Sequence, residues 1–247
     1  MLSSLQRRDA ALSDQVAFWN QWNAEHRKVE DLQEVSIDQL AVVTGWLNEL
    51  NASDLDIIEV GCGTGWMCER LTGFGQITGT DLSDTVLAQA QERVPSATFV
   101  PGDFMSLDFG GKTFDVAVTL EVLSHVTDQA AFVAKIASHL KPGGLLMLAT
   151  QNRPQLERND IPPPKPGQIR QWVDSDDLRG LLDNHFEVEQ LFSITPTFNR
   201  GMLRYVNSRK LAALFRQLSL GVVPRALKRV QEQAGLGWTL MALARKR

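Results

Sequence analysis

Between Ile57 and Gly65 the chain reads Ile-Ile-Glu-Val-Gly-Cys-Gly-Thr-Gly. A short apolar strand runs into glycines at alternate positions, Gly61, Gly63 and Gly65, and then into a helix opening at Trp66. Strand, tight glycine turn and helix start together form a nucleotide-binding unit of a parallel α/β sheet. Glycine lets the backbone turn sharply and lets a ligand lie directly against it. The spacing also excludes ligands. A dinucleotide fingerprint needs a glycine where Trp66 stands, and a P-loop needs a Gly-Lys-Ser/Thr ending, which is absent. Glu59, read as sitting inside the turn, would repel a pyrophosphate and suits a ligand with a cationic amino group. A glycine-rich turn with no ligand is the alternative.

The rest of the chain supplies the sheet that such a turn needs. Gln76–Thr80 reads as a second strand ending at Asp81, followed by Leu82 and a helix Asp84–Arg93 capped by Ser83. An acid at a strand end about 20 residues past the glycine turn commonly accepts both hydroxyls of a ribose. Ala97–Val100 is a third strand, leading into Pro101-Gly102-Asp103-Phe104. Phe114–Leu120 is almost wholly apolar, as a central parallel strand covered on both faces should be. It runs into Glu121-Val122-Leu123-Ser124-His125-Val126. A helix over Asp128–Leu140 is stopped by Lys141-Pro142-Gly143-Gly144, and Leu145–Ala149, Phe186–Ile194 and Trp238–Ala244 complete seven strands. A capped helix, Asp174–Leu182, precedes the sixth. Parallel strands ending in line place the loops that follow them in one crevice.

Two helices are expected before the sheet. Residues 9–27 carry Val16, Trp19, Trp22 and His26 on one helical face, the pattern of a cap over residues 1–35. Ser36-Ile37-Asp38-Gln39 reads as a capping box opening a helix with Leu40, Val43, Leu47 and Leu50 on its apolar face. Pro154–Trp172 is proline-rich and aperiodic, the signature of a lid or binding loop. Residues 197–236 stand where a short hairpin turn would join the last two strands, and Leu211, Leu214, Phe215 and Leu218 suit amphipathic helices.

Glu59 with the three glycines resembles motif I, E-x-G-x-G-x-G, of the class I S-adenosylmethionine (SAM) dependent methyltransferases. The stretch from Glu121 to Val126 resembles the E-V-x-x-H-V of small-molecule methyltransferases similar to the ubiquinone-biosynthesis O-methyltransferase. The resemblance implies a doubly wound, seven-stranded, mostly parallel Rossmann-like sheet, formed by residues 36–196 and 237–247. It implies SAM as cofactor, held by Glu59, Gly61, Cys62, Gly63, Gly65, Asp81 and Leu82. Asp103 would accept from the adenine amino group, Phe104 would lie by the ring, and Glu121 would contact the cofactor. His125 is the candidate general base for a hydroxyl acceptor, with a loop-ordering helix cap as its alternative role. No Asp/Glu/His cluster has metal-ligand spacing, so no metal is expected.

Charge is divided unevenly. Residues 198–247 hold 11 Lys or Arg and one acid, Glu232, leaving 14 bases against 28 acids elsewhere. A basic insertion on an acidic domain implies an anionic acceptor, a peripheral contact with the inner face of a membrane, or only a solvated face. The tract around Gln151-Asn152-Arg153 and Gly167–Arg170 resembles methyltransferases of glycan or lipid-linked sugar synthesis. A quinone or phenolic precursor is the second acceptor class, and a non-catalytic SAM-binding module the reading of another class. No Asp/Asn-Pro-Pro-aromatic motif or Pro-Cys nucleophile occurs, which argues against a nucleic-acid acceptor. Met1–Asp9 is polar and no apolar run approaches the ~18 residues of a membrane span, so the cytoplasm is the expected compartment.

Overall fold

The computed structural model describes residues 12–22, 32–201, 203–206, 217 and 222–247. Its sheet has seven strands: β1 (Leu55–Val60), β2 (Gly75–Asp81), β3 (Thr98–Pro101), β4 (Phe114–Leu120), β5 (Leu140–Gln151), β6 (Phe186–Ile194) and β7 (Thr239–Lys246). Their spatial order is β3-β2-β1-β4-β5-β7-β6, and β7 runs antiparallel to both of its neighbours. The order reverses between β1 and β4. At such a switch point the loops after neighbouring strands diverge and open a crevice at the carboxyl edge.

The strands are apolar on both faces because helices cover both. Ile57, Val118, Met147 and Met241 point into one core, against α2 (Glu34–Glu49), α3 (Trp66–Leu71) and α4 (Asp84–Arg93). Ile58, Ala117, Leu148 and Ala242 point into the other, against α5 (Gln129–His139) and α7 (Ser175–Leu182). Each fully buried aliphatic side chain contributes roughly 1.5–3 kcal/mol, so both layers are needed. Ser83 accepts from the Val86 amide at 3.2 Å and Asp128 from Ala131 at 2.9 Å, which sets the starts of α4 and α5. At the start of α7, Asp174 and Asp177 form a reciprocal capping box.

Several boundaries differ from the sequence expectation. The capping box at Ser36 does not form: the N-cap lies three residues earlier, at Gln33, which gives no side-chain bond, and α2 begins at Glu34. Gln39 is released by this shift to reach across the sheet edge. Lys141–Gly144 belongs to β5, whose register against β4 shifts between Phe114 and Val116. The expected lid begins as a short helix, α6 (Arg153–Glu157). Its two ends are pinned together by a bridge between Asn152 and Val173 and by ion pairs of Arg153 with Asp174 and Asp177.

Of the expected N-terminal helix, the described part, residues 12–22, is helical (α1), while His26 lies outside the described residues. Within the basic insertion the structure describes a turn, Leu203–Val206, and α8 (Val222–Gln233). Leu211, Leu214, Phe215 and Leu218 lie outside the described residues. Lys228 of α8 holds Asp38 of α2 at 2.6 Å, and Glu232 accepts from the Thr195 amide at 3.2 Å. These contacts fasten α8 to α2 and to the end of β6.

Candidate functional site

A cavity of about 1030 Å³ lies over the carboxyl edge of the sheet. Its floor is made of strand ends and the residues that follow them: Glu59 and Gly61 at the end of β1, Asp81 at the end of β2, Asp103 after β3 and Glu121 after β4. The β1 turn is set by backbone, since both the Gly61 and Cys62 amides donate to the Thr80 carbonyl, at 2.7 and 3.0 Å. Gly61 has φ +76°, and a Cβ there would stand 2.2 Å from Val122 Cγ2. Any side chain would push the β4 loop away from the turn.

Asp81 organises this end of the cavity. One carboxylate oxygen accepts from the Gly63 amide at 2.9 Å and the other from the Ser83 amide at 3.0 Å. A carboxylate has about four acceptor sites, so the same group can hold the turn and hydrogen-bond a diol. Glu59 is buried on β1 rather than inside the turn, and it accepts from the Cys68 thiol at 2.8 Å. Its interaction with Cys62 and burial push the Cys68 thiol pKa up, so Cys68 remains the donor. Asp103 orders its own loop by accepting from the Met105 amide at 3.0 Å. Phe104 backs the wall and packs edge-on against Phe132.

The other end is built from distant segments. Glu121 sits at φ +63°, a conformation few side chains adopt, which turns the chain sharply as it leaves β4. Its Oε1 accepts from Gln39 Nε2 at 2.7 Å and from Thr239 Oγ1 at 2.8 Å. Its Oε2 is sealed from solvent with no hydrogen-bond partner, and burial pushes the carboxyl pKa up to about 7.

His125 follows in a 3₁₀ turn, Leu123–His125. Its Nδ1 lies 2.7 Å from the Ile169 carbonyl. A carbonyl only accepts, so Nδ1 carries the hydrogen and Nε2 keeps its lone pair. Trp19 of α1 stacks edge-on to this imidazole, with ring centroids 4.7 Å apart. Burial lowers the His125 pKa from its ordinary value.

The lid's returning limb is latched to the same turn. The Gln171 amide donates to the Ser124 carbonyl at 2.8 Å, and Gln129 Nε2 donates to the Gln171 carbonyl at 2.8 Å. On the other side of the limb, a Cβ at Gly167 would stand 2.4 Å from the Asp14 carbonyl, so glycine allows α1 to pack there. Asn20 of α1 also bonds the Ser83 hydroxyl beside Asp81. One short helix thus touches both ends of the cavity.

Most of the expected site residues meet here: Glu59, Gly61, Gly63, Asp81, Leu82, Asp103, Phe104, Glu121 and His125 all border the cavity. Two do not. The Cys62 side chain lies beneath the turn in the core, with its Sγ directed to the Gly63 carbonyl at 3.8 Å. Gly65 caps α3 at φ +72°, where a Cβ would stand 3.0 Å from the Ala90 Cβ. Its smallness serves helix packing. Arg170 and Trp172, from the stretch expected to be a lid or binding loop, line the cavity, and so do Gln39 and Trp238, which no local motif marked for it because each arrives from a segment placed only by the tertiary fold.

Residues 58–148 match the family profile described as a methyltransferase domain. The ubiquinone biosynthesis O-methyltransferase of Rhodopseudomonas palustris (strain BisB18) is 37% identical over 111 residues, 41% of this chain and 41% of that protein. The chain thus matches about two fifths of the length of these curated relatives. Among solved structures, the N-methyltransferase NodS of Bradyrhizobium japonicum WM9, in complex with S-adenosylhomocysteine, superposes with a TM-score of 0.65 at 13% identity. That match covers 94% of this chain and 98% of the other. Magnesium protoporphyrin IX methyltransferase from Synechocystis PCC 6803, also with S-adenosylhomocysteine, gives 0.61 at 17% identity, covering 98% and 100%. At these identities the structural likeness is one of fold.

Proposed function

We propose that this chain, which carries a class I SAM-dependent methyltransferase domain, transfers a methyl group from SAM to a hydroxyl of a small-molecule acceptor. One observation carries the reading. A single cavity joins the acidic glycine-turn end to His125, whose Nε2 lone pair is left available by the Ile169 carbonyl. SAM, when bound, supplies an electrophilic methyl group and leaves as the neutral thioether S-adenosylhomocysteine.

Each residue has a task within that scheme. Glu59 neutralises a cationic amino group, Asp81 accepts from the ribose hydroxyls, and Asp103 accepts from the adenine amino group beside Phe104. His125 Nε2 takes the acceptor's hydroxyl proton as the oxygen–carbon bond forms. The Ile169 carbonyl fixes the tautomer and stabilises the resulting imidazolium. Holding donor and acceptor in line supplies much of the remaining acceleration. α1 acts as a cover that excludes water, since it touches both Ser83 and His125.

The acceptor that fits best is a quinone or phenolic precursor. The name of the ubiquinone-biosynthesis relatives supports an oxygen nucleophile. Trp19, Trp22, Trp172 and Trp238 line the cavity and favour a flat, apolar body. A glycan or lipid-linked sugar is the second reading, because the same rings can stack on a sugar. A peripheral membrane contact of α8 is compatible with either.

Labelled SAM offered with phenols, quinone precursors, nucleotide sugars and lipid-linked sugars tests this reading. His125→Ala should lower turnover about 10²–10⁴-fold and leave SAM affinity unchanged. A base must be neutral to act, so activity should fall on acidification through the His125 pKa. Burial sets that acid limb below the ordinary imidazole value of about 6.5. Full activity of the variant would return His125 to a loop-ordering role. SAM binding with no transfer to any acceptor would favour a non-catalytic module.

A further inference from the structure

Arg170 is a half-buried cation in the cavity wall. It follows Ile169, whose carbonyl holds His125, so it stands beside the candidate base. Three contacts fix its plane. Nη1 donates to the Pro162 carbonyl at 2.6 Å, Nη2 donates to Gln168 Oε1 at 3.1 Å, and the guanidinium stacks over Trp172 at 5.2 Å from the ring centre. All three partners are neutral. Other cations of the chain are paired with acids, Arg153 with Asp174 and Asp177 and Lys141 with Asp56 and Asp115, while Lys135 and Lys246 donate only to backbone carbonyls away from the cavity.

A partly dehydrated cation without a counter-charge is unfavourable on its own. Among the described residues Arg170 makes no ion pair, and Glu59, Asp81, Asp103, Glu121 and Asp128, the described acids that border the cavity, are not paired with it. A guanidinium has five N–H donors in a rigid fork, and two are used here, so three remain for a ligand. The fork is preorganised, half dehydrated and next to the reacting end, which are the properties that favour bidentate recognition of a carboxylate or phosphate.

We propose that Arg170 reads an anionic group on the acceptor, a carboxylate or phosphate, and so determines which hydroxyl is presented to His125. The inference rests on the methyltransferase reading and deepens it. It places charge recognition in the lid rather than in the basic insertion, because no described residue between 197 and 236 borders the cavity. The cavity is then bipolar. Glu59, Asp81 and Asp103 meet the cationic cofactor, and Arg170, beside His125, meets an anionic acceptor, with the aromatic walls around the acceptor's body.

The test measures calorimetric binding of para-hydroxybenzoate, its neutral match para-hydroxybenzamide, and phenyl phosphate, each to protein saturated with S-adenosylhomocysteine. The wild type should bind at least one of the two anions about tenfold more tightly than the amide, and the tighter anion identifies the group. Arg170→Gln should abolish the preference, while Arg170→Lys, which keeps charge but loses the fork, should retain part of it. S-adenosylhomocysteine affinity should be the same in all three proteins, which guards against a misfolded lid. Equal binding of anions and amide, no binding of either anion at millimolar concentration, or a preference that survives Arg170→Gln would overturn the assignment. Failure to bind S-adenosylhomocysteine would instead overturn the methyltransferase reading itself.

Discussion

Glu121 shows how one residue can serve a site at a cost to stability. It is held at positive φ, its Oε1 is bonded by Gln39 from α2 and Thr239 from β7, and its Oε2 has no partner. Burial raises its pKa from 4.5 to about 7, so the folded state retains a proton that the unfolded chain releases. Stability should therefore decline as pH rises from about 4.5 through 7, and be lowest above that range. In Glu121→Gln the amide oxygen still accepts both bonds and no charge is buried. The variant should gain on the order of 2 kcal/mol relative to wild type between pH 5 and 8, in denaturant unfolding without cofactor. A difference that does not change with pH would show that Glu121 is ionised at no cost. The position of Glu121 was legible in the E-V-x-x-H-V stretch. Its partner Gln39 was not, because Ser36–Gln39 satisfies a local capping pattern that the fold does not use.

At the scale of elements, local signals predicted what local physics controls. The strands β4 and β6 have the residues expected from apolar runs, and α3 opens at Trp66 as expected after the glycine turn. The Ser83 and Asp174 caps were legible for the same reason. The latch between lid, 3₁₀ turn and α1 was not, since it consists of backbone bonds such as Gln171 to Ser124 across unrelated segments. Nor could composition tell which insertion bases are engaged: Lys228 is tied to Asp38, whereas Arg225 and Arg229 face solvent. Val222 and Val230 are 69% and 61% exposed on the same helix, which gives α8 an apolar and cationic outer face. If that face meets a membrane, the protein should float with anionic vesicles at low salt and release as salt rises. Val222→Asn with Val230→Asn should weaken flotation by about tenfold. Binding that is absent, or indifferent to both salt and the valines, would leave α8 as a solvated face.

For the whole molecule, the uneven charge that stands out in the sequence is reorganised by the fold. The acidic residues that matter converge because β1, β2, β3 and β4 end in line, which places Glu59, Asp81, Asp103 and Glu121 around one cavity. No helix of the described residues is long and apolar enough to cross a membrane. The central claim is that the acidic end of this cavity binds SAM, and calorimetric titration of the purified protein with S-adenosylhomocysteine tests it most directly. A single saturable site is predicted. Asp81→Ala should weaken it by ~1.5–3 kcal/mol, the range for a lost charge-assisted hydrogen bond, while His125→Ala leaves it unchanged. No binding at millimolar ligand, or an affinity indifferent to Asp81, would contradict the account.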